Sequence, residues 1–173
     1  MSVTHTYSAA WESATPQLSI LVPFYHDNPV ALLTALDAQI GPNCEILLYD
    51  DGSQDPALTA EVTTAISTLS NSGCVITNAS NQGRSQARNH LQQAARGAWV
   101  LFLDADMRPA RADFIANYMA LIAQSTADII FGGFEVEAVT DPDRDLHRAL
   151  SEVSDCLTLA ERAKAGPQFV ASS

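Results

Sequence analysis

Residues 98–107 of this 173-residue chain read AWVLFLDADM, an uninterrupted apolar run that ends in two carboxylates one residue apart. Such a run, rich in aromatic and branched side chains, predicts a strand buried on both faces of a sheet. Asp104 and Asp106 would follow its carboxyl end on one side of an extended backbone, because side chains alternate along a strand. Two carboxylates this close repel each other unless a cation compensates, and hard divalent ions prefer carboxylate oxygens. The pair therefore favours a Mg²⁺ or Mn²⁺ site; one capping and one solvated aspartate is the simpler alternative.

The composition limits the classes of function. The net charge is −11 and 47% of the residues are hydrophobic, which is typical of a globular domain with a core. Nucleic-acid binding needs a basic face, so this partner is not expected, and a phosphate ligand would need a metal ion or locally placed arginines. Cys44, Cys74 and Cys156 have no metal-ligand spacing; we expect buried, reduced thiols and a cytoplasmic location, including the inner face of the membrane. No segment is predicted to span a bilayer.

Strands and helices are predicted to alternate. We expect residues 1–17 to be a flexible leader without signal-peptide features and residues 18–173 to form one α/β domain. Strands are predicted at 18–24, 44–49, 74–77, 98–103 and 128–137, the last with a glycine kink, and a further strand begins at 169. Helices are predicted at 29–40, 56–69, 84–95, 112–124 and 146–164. This order predicts a mainly parallel, Rossmann-like sheet with helices on both faces and a ligand site at the carboxyl ends of its strands.

Four motifs occur in order along the chain. They are VPFYH at residues 22–26, DDGS at 50–53, NQG at 81–83 followed by ARN at 87–89, and DAD at 104–106. Together they resemble the nucleotide-sugar-binding half of a family 2 glycosyltransferase, which has the GT-A fold. The resemblance covers residues 18–134 and is weak beyond them.

The first two motifs imply contacts with the nucleotide base. By the resemblance, Pro23 and Tyr25 would flank the base, with the tyrosine ring as a stacking face. Asp51, with Asp50, would accept the ring N–H of uracil or an equivalent donor, which suits an ionised carboxylate. His26 stands where the family usually has asparagine.

The later motifs imply contacts with the sugar diphosphate. Gly83 would let the backbone approach the nucleotide, and the helix would hold Arg88 near the pocket. Asp104 would contact the ribose or the metal, and Asp106 would ligate Mn²⁺ or Mg²⁺ on the diphosphate. The implied reaction moves a sugar from a nucleoside-diphosphate sugar, with UDP favoured, to the hydroxyl of a saccharide or lipid-linked acceptor, with inversion. In this reaction a divalent ion stabilises the leaving diphosphate and a carboxylate base activates the acceptor.

The family's catalytic base has no match in this sequence. We expect it beyond Ser173, and therefore expect the acceptor side of the domain to be incomplete, with donor binding retained and turnover poor or absent.

Simpler explanations remain open for several residues. Asp50 and Asp51 are also typical of a turn before glycine, Tyr25 could pack on the first helix, Arg88 could make a structural ion pair, and Gly83 could begin a helix.

Three other functions also remain open. An aspartyl phosphotransferase or phosphatase would need a lysine at a later strand end, and Lys164 is the only lysine. A dinucleotide-binding domain would need Gly-x-Gly-x-x-Gly, which the first loop lacks. A non-catalytic nucleotide-sugar-binding module would share every motif above.

Overall fold

The computed structural model describes residues 3–136, 149 and 156–165. The chain divides into two compact units, Met1–Gln124 and Ser125–Ser173. The strands are β1 (Val3–Tyr7), β2 (Leu18–Phe24), β3 (Cys44–Asp50), β4 (Ser72–Asn78) and β5 (Trp99–Phe102). The helices are α1 (Val30–Asp37), α2 (Pro56–Ser67), α3 (Arg84–Ala94), α4 (Phe114–Gln124) and α5 (Leu159–Ala165). Between residues 18 and 124 every predicted strand and helix is present, with its ends within three residues of the prediction.

One five-stranded sheet, in the order β1-β4-β3-β2-β5, forms the centre of the first unit. The strands β4, β3, β2 and β5 are parallel, and only β1 is antiparallel to its neighbour. The register aligns the carboxyl ends, with Phe24 opposite Asp50 and Asp50 opposite Thr77. The predicted mainly parallel, Rossmann-like sheet is therefore confirmed.

Helices cover both faces of the sheet. On one face, Ala87 and Leu91 of α3 pack in a cluster with Leu21, Leu47 and Tyr49. On the other, Gly73 of β4 leaves the space that the Leu69 and Ile66 side chains fill at the end of α2. Because the central strands are covered twice, almost every residue of β2, β3 and β4 is buried, including polar ones.

Strand β5 is less buried than predicted. In the described residues β5 pairs on one side only, with β2, and Val100 is exposed while its neighbours are half-buried. The prediction of a strand buried on both faces is therefore wrong for this structure. The chain also turns at Ala105 and Asp106, so the two aspartates do not share one side of an extended backbone.

The predicted leader contains a strand. Val3–Tyr7 pairs with β4, from Val3 opposite Asn78 to Tyr7 opposite Cys74. The Ser8 hydroxyl extends this attachment, because it donates to the Asn71 carbonyl (2.8 Å) and accepts the Gly73 N–H (2.9 Å). The prediction of a flexible leader over residues 1–17 is wrong for this part, because β-branched and aromatic residues at 3–7 complete an otherwise open edge.

The second unit departs from the predicted strand. Residues 128–136 form no regular strand, and Gly133 has a φ of 91°. The Arg162 guanidinium of α5 donates to the Phe131 and Gly132 carbonyls (3.3 and 3.4 Å), so a side chain takes carbonyls that a strand would use. The predicted helix at 146–164 is described only at residue 149 and from 156 on, and the strand predicted from 169 lies outside the described residues.

Candidate functional site

A cavity of about 430 Å³ opens at the carboxyl edge of the sheet in the first unit, a size within the usual range of small-ligand pockets. Five of the predicted site residues line it: Pro23, Tyr25, Asp51, Asp104 and Asp106. Six further lining residues were not predicted as site residues: Phe24, Asp27, Asn81, Arg84, Ala87 and Ala105. Predicted residues Asp50, Gly83 and Arg88 do not line the cavity.

Asp50 and Asp51 have different roles although they are adjacent. The buried Asp50 carboxylate accepts the Ser53 N–H (2.8 Å), so it closes its own turn instead of facing the cavity. The prediction that Asp50 binds the nucleotide is therefore not supported by its position. Asp51 is also buried, and its two oxygens accept the N–H groups of Gln82 (2.9 Å) and Gly83 (2.8 Å). These two bonds hold one oriented carboxylate at the cavity wall.

Gly52 makes the close approach of these two loops feasible. It has a φ of 79°, and a Cβ at this position would collide with the backbone of Ser80 and Asn81. Only glycine combines a left-handed backbone with the absence of a side chain. The Asp-Asp-Gly-Ser turn and the loop before α3 therefore pack backbone to backbone, which brings Asn81 to the cavity.

The loop after β2 is held in a less common conformation. His26 has a φ of 62°, and its N–H donates to the Ser53 hydroxyl (2.8 Å). Histidine, like asparagine and aspartate, adopts this left-handed region more often than most other non-glycine residues. The bond leaves Tyr25 about half exposed, with its ring centroid 4.1 Å from that of His26, and directs Asp27 toward the cavity.

Gly83 and Arg88 contact the cavity carboxylates without lining the cavity themselves. Gly83, with a φ of 90°, precedes α3 and donates to Asp51. Arg88 donates to Asp104 (3.2 Å) and lies over the Phe102 ring. Their contacts position the lining carboxylates, so the structural ion pair that the sequence left open for Arg88 is present and its partner is a cavity residue.

Asp104 and Asp106 differ in what neutralises them. The Arg84 Nη2 atom donates to both Asp104 oxygens (2.9 and 2.8 Å), and Arg88 adds a second guanidinium. Asp106 is exposed at the cavity and has no hydrogen bond or ion pair with the residues that the structure describes.

No group of three or more His, Cys, Asp or Glu among the described residues could hold a metal by itself. Oxygen ligands on two carboxylates nevertheless suit Mg²⁺ or Mn²⁺, which often take one or two carboxylates and complete their shell with substrate phosphates. The donor set of Asp106 and Asp104 therefore fits a divalent ion that arrives with a phosphate ligand.

The charge at this edge affects a buried neighbour. Burial, and then the negative charges of Asp51 and Asp50, raise the pKa of the Tyr49 hydroxyl above its ordinary value.

Burial raises the pKa of the Cys74 thiol to about 12 and also raises that of Cys44. The expectation of buried thiols is met for these two cysteines.

Arg84 is the missed residue with the clearest sequence signal. It lies four residues before Arg88, and residues four apart share one face of a helix. An acidic chain with a phosphate ligand needs such a cation. Asp27 had a weaker signal, because it follows a predicted strand but belongs to no recognised pair.

The glycosyl transferase family 2 model matches residues 19–168. The chain belongs to glycosyl transferase family 2. A relative, glycosyltransferase AglE of Haloferax volcanii, is 29% identical over 127 residues, which are 71% of this chain and 41% of that protein.

Two solved structures have the same fold. TarS 1-349 of S. aureus in complex with UDP-GlcNAc has a TM-score of 0.55 and 25% identity, and the match covers 72% of this chain and 37% of TarS. The mannosyltransferase PcManGT from Pyrobaculum calidifontis in complex with GDP-Man and Mn²⁺ has a TM-score of 0.53 and 24% identity, covering 82% and 40% of the two chains. At this identity the second match shows the fold alone.

This family 2 chain spans less than half the length of the curated relatives it matches. In the described part of the chain, no helix has the length and apolar character needed to cross a bilayer.

Proposed function

We propose that this chain forms the donor-binding part of a glycosyltransferase that moves a sugar from a nucleoside-diphosphate sugar to an acceptor hydroxyl. The observation that carries the proposal is that Asp51, after β3, and Asp106, after β5, line one cavity. If the two aspartates lay at opposite ends of the sheet, they could not line the same cavity. Membership of the family supports the reaction class, and the partial coverage of the relatives makes the activity of the whole protein part of the proposal.

The base of the donor would bind between Tyr25 and Asp51. The tyrosine ring is half exposed and offers an apolar face for stacking. The Asp51 oxygens keep lone pairs beyond the two that accept Gln82 and Gly83, and these could accept the ring N–H of uracil. UDP is the donor nucleotide that we propose, and the UDP-GlcNAc complex of TarS, 25% identical to this chain, is consistent with it.

The diphosphate would meet Asp106 through Mg²⁺ or Mn²⁺, with Asp104 as a second ligand or a ribose contact. When bound, the ion would supply Lewis-acid stabilisation of the leaving diphosphate. The chain's own residues bind and orient: Asp51 would fix the base, and Arg88 of α3 would hold Asp104 in place. The acceptor, the inversion of the sugar and the base that activates the acceptor follow from the family resemblance, and no described residue is assigned as this base.

An alternative phosphotransferase would need Asp104 as a free nucleophile. Two arginines bind this carboxylate instead. The site therefore favours nucleotide-sugar binding over an aspartyl-phosphate mechanism.

Isothermal titration calorimetry of this chain tests the proposal. UDP-sugars and GDP-sugars are titrated with Mn²⁺ and again with EDTA, and uridine serves as a control that lacks the diphosphate. We expect a UDP-sugar to bind with Mn²⁺ and to lose at least about tenfold in affinity with EDTA. If no nucleotide binds in the presence of the metal, the proposal is wrong; if binding is unaffected by EDTA, its metal-dependent part is wrong.

A further inference from the structure

Arg84 has a position that the donor-binding proposal does not use. It is the first residue of α3, its side chain is 48% exposed, and it lines the cavity. Its Nη2 atom contacts both oxygens of Asp104, at 2.9 and 2.8 Å. This guanidinium therefore covers the carboxylate that would serve the ribose or the metal.

The charges around the cavity do not favour a diphosphate as they stand. Of the residues that the structure describes, four aspartates line the cavity, and Arg84 is the one basic residue that does so. The chain as a whole carries a net charge of −11. A diphosphate that enters this site meets like charges unless a cation turns toward it, and guanidinium binds phosphate as well as it binds carboxylate.

The contact between Arg84 and Asp104 is suited to exchange. Both side chains are partly exposed, at 48% and 34%, and ion pairs of this kind contribute little stability, so breaking one costs little. Arg88 holds the same carboxylate from the next turn of the helix, at 3.2 Å. Asp104 would therefore keep one counter-ion after Arg84 leaves.

We propose that Arg84 is an exchangeable counter-ion: it pairs with Asp104 in the free protein and turns to the diphosphate when the donor binds, which opens Asp104. This inference rests on the proposed function. It goes further because it predicts that Arg84 opposes metal binding in the absence of nucleotide and favours nucleotide binding. The divalent ion and the nucleotide then bind cooperatively, since the nucleotide removes the group that covers a metal ligand.

The variant Arg84→Gln tests this in two titrations, with Arg111→Gln as the matched control. Arg111 pairs with Asp113 on an exposed surface outside the cavity, so the control removes the same charge. Manganese alone is titrated by electron paramagnetic resonance of free Mn²⁺. UDP and uridine are titrated calorimetrically with Mn²⁺ present, and circular dichroism establishes that each variant is folded.

The two affinities should change in opposite directions. Relative to Arg111→Gln, Arg84→Gln should bind UDP about tenfold more weakly or worse, because a charge-assisted bond to phosphate is lost. Uridine affinity should not change. Mn²⁺ alone should bind about two- to fivefold more tightly, because the competing ion pair is gone. Arg84→Lys should recover part of the UDP affinity, because it keeps the charge.

Each other outcome contradicts the inference. Equal UDP affinity in the two glutamine variants would remove the phosphate role, and unchanged or weaker binding of Mn²⁺ alone would remove the covering role. If the unaltered chain binds no nucleotide with metal, the proposed function fails, while the manganese titration still decides whether Arg84 covers Asp104.

Discussion

The two ends of the sheet use acidic residues in opposite ways. At the amino end, Glu45 of β3 is fully buried, and its carboxylate accepts the Ser19 hydroxyl (2.6 Å), the Arg96 N–H (2.8 Å) and the Arg96 Nε–H (2.7 Å). At the carboxyl end, Asp27 and Asp106 line an open cavity, and neither carboxylate has such partners in the described part of the chain. A buried charge must be compensated within the protein, whereas an exposed charge in a cavity is available for a ligand. The comparison shows why acidic composition alone did not indicate function.

At the amino end of the sheet, the Arg96 side chain also covers the buried Glu45 carboxylate. Its guanidinium lies 3.8 Å over the Trp11 ring and donates to the Trp11 carbonyl (3.0 Å) and the Ser72 hydroxyl (3.1 Å). One side chain therefore joins β3, β4 and the segment after β1. No comparable group covers Asp106 in the described residues, so the difference between the ends is one of compensation as well as of exposure.

The largest effect is expected where the carboxyl end depends on a backbone contact. Gly52→Ala should lower the free energy of unfolding by about 3–4 kcal/mol, because positive φ and a collision with the backbone of the Ser80–Asn81 loop add together. Gly83→Ala also has a positive φ, but nothing lies within 4 Å of its Cβ position, so about 2 kcal/mol is expected. Urea unfolding of both variants measures the difference, and equal losses would show that the collision relaxes.

Removing the compensation at the amino end should cost nearly as much. Arg96→Met leaves the Glu45 carboxylate buried without its guanidinium, and about 3 kcal/mol of stability should be lost, at the lower end of the usual range because Arg96 is partly exposed. Arg111→Met breaks the exposed pair with Asp113 and should change stability by less than about 0.5 kcal/mol. Similar losses in urea unfolding would mean that the buried pair is no more important than the surface pair.

A substitution at the carboxyl end of the sheet should change ligand binding and leave the stability of the fold nearly unchanged. Asp106→Asn should weaken Mn²⁺-dependent UDP binding at least about tenfold, while the urea midpoint stays unchanged or rises slightly, because a like charge beside Asp104 is removed. Asp113→Asn, an exposed aspartate outside the cavity, is the matched control for calorimetry. A loss of stability in Asp106→Asn without a loss of binding would reverse the contrast between the two ends.

Alkaline pH should produce the smallest effect, from the buried core between the two ends. Burial raises the pKa of Cys74 from 9.0 to about 12, so the unfolded chain loses this proton first as the pH rises. Stability is therefore complete below pH 9 and falls between pH 9 and about 12. From pH 8 to 9.5 the loss should be about 1 kcal/mol. Cys74→Ala should show a smaller decline in urea unfolding at the two pH values; an equal decline would assign the effect to other groups.

Much of the fold was predictable because its strands are continuous apolar runs. The order of β2 to β5 and the helices between them follow from periodicity and turn residues alone. The segment Val3–Tyr7 was missed because a short edge strand leaves most of its side chains exposed, so it carries no core signal. The conformation of residues 128–136 depends on contacts with Arg162, which lies about thirty positions later in the chain, and local pattern cannot show them.

The sequence predicted at which edge of the sheet the site lies, but it could not predict which carboxylates face the cavity. Adjacent residues point to opposite sides of a strand, so the sequence could not say whether Asp50 or Asp51 faces the cavity. The Asp51 bonds to Gln82 and Gly83 decide it, and they depend on how the loop before α3 packs. Likewise the pairing of Arg84 with Asp104 joins two elements twenty residues apart.

The attachment of β1 has a consequence for how the chain acquires its structure during synthesis. Among the described strands, Val3–Tyr7 pairs with Ser72–Asn78, so more than sixty residues must be synthesised between this strand and its partner. A long loop must close before this pairing forms, and such pairings are slow. Strand β1 therefore pairs with β4 as a late step, after β4 has formed beside the other parallel strands.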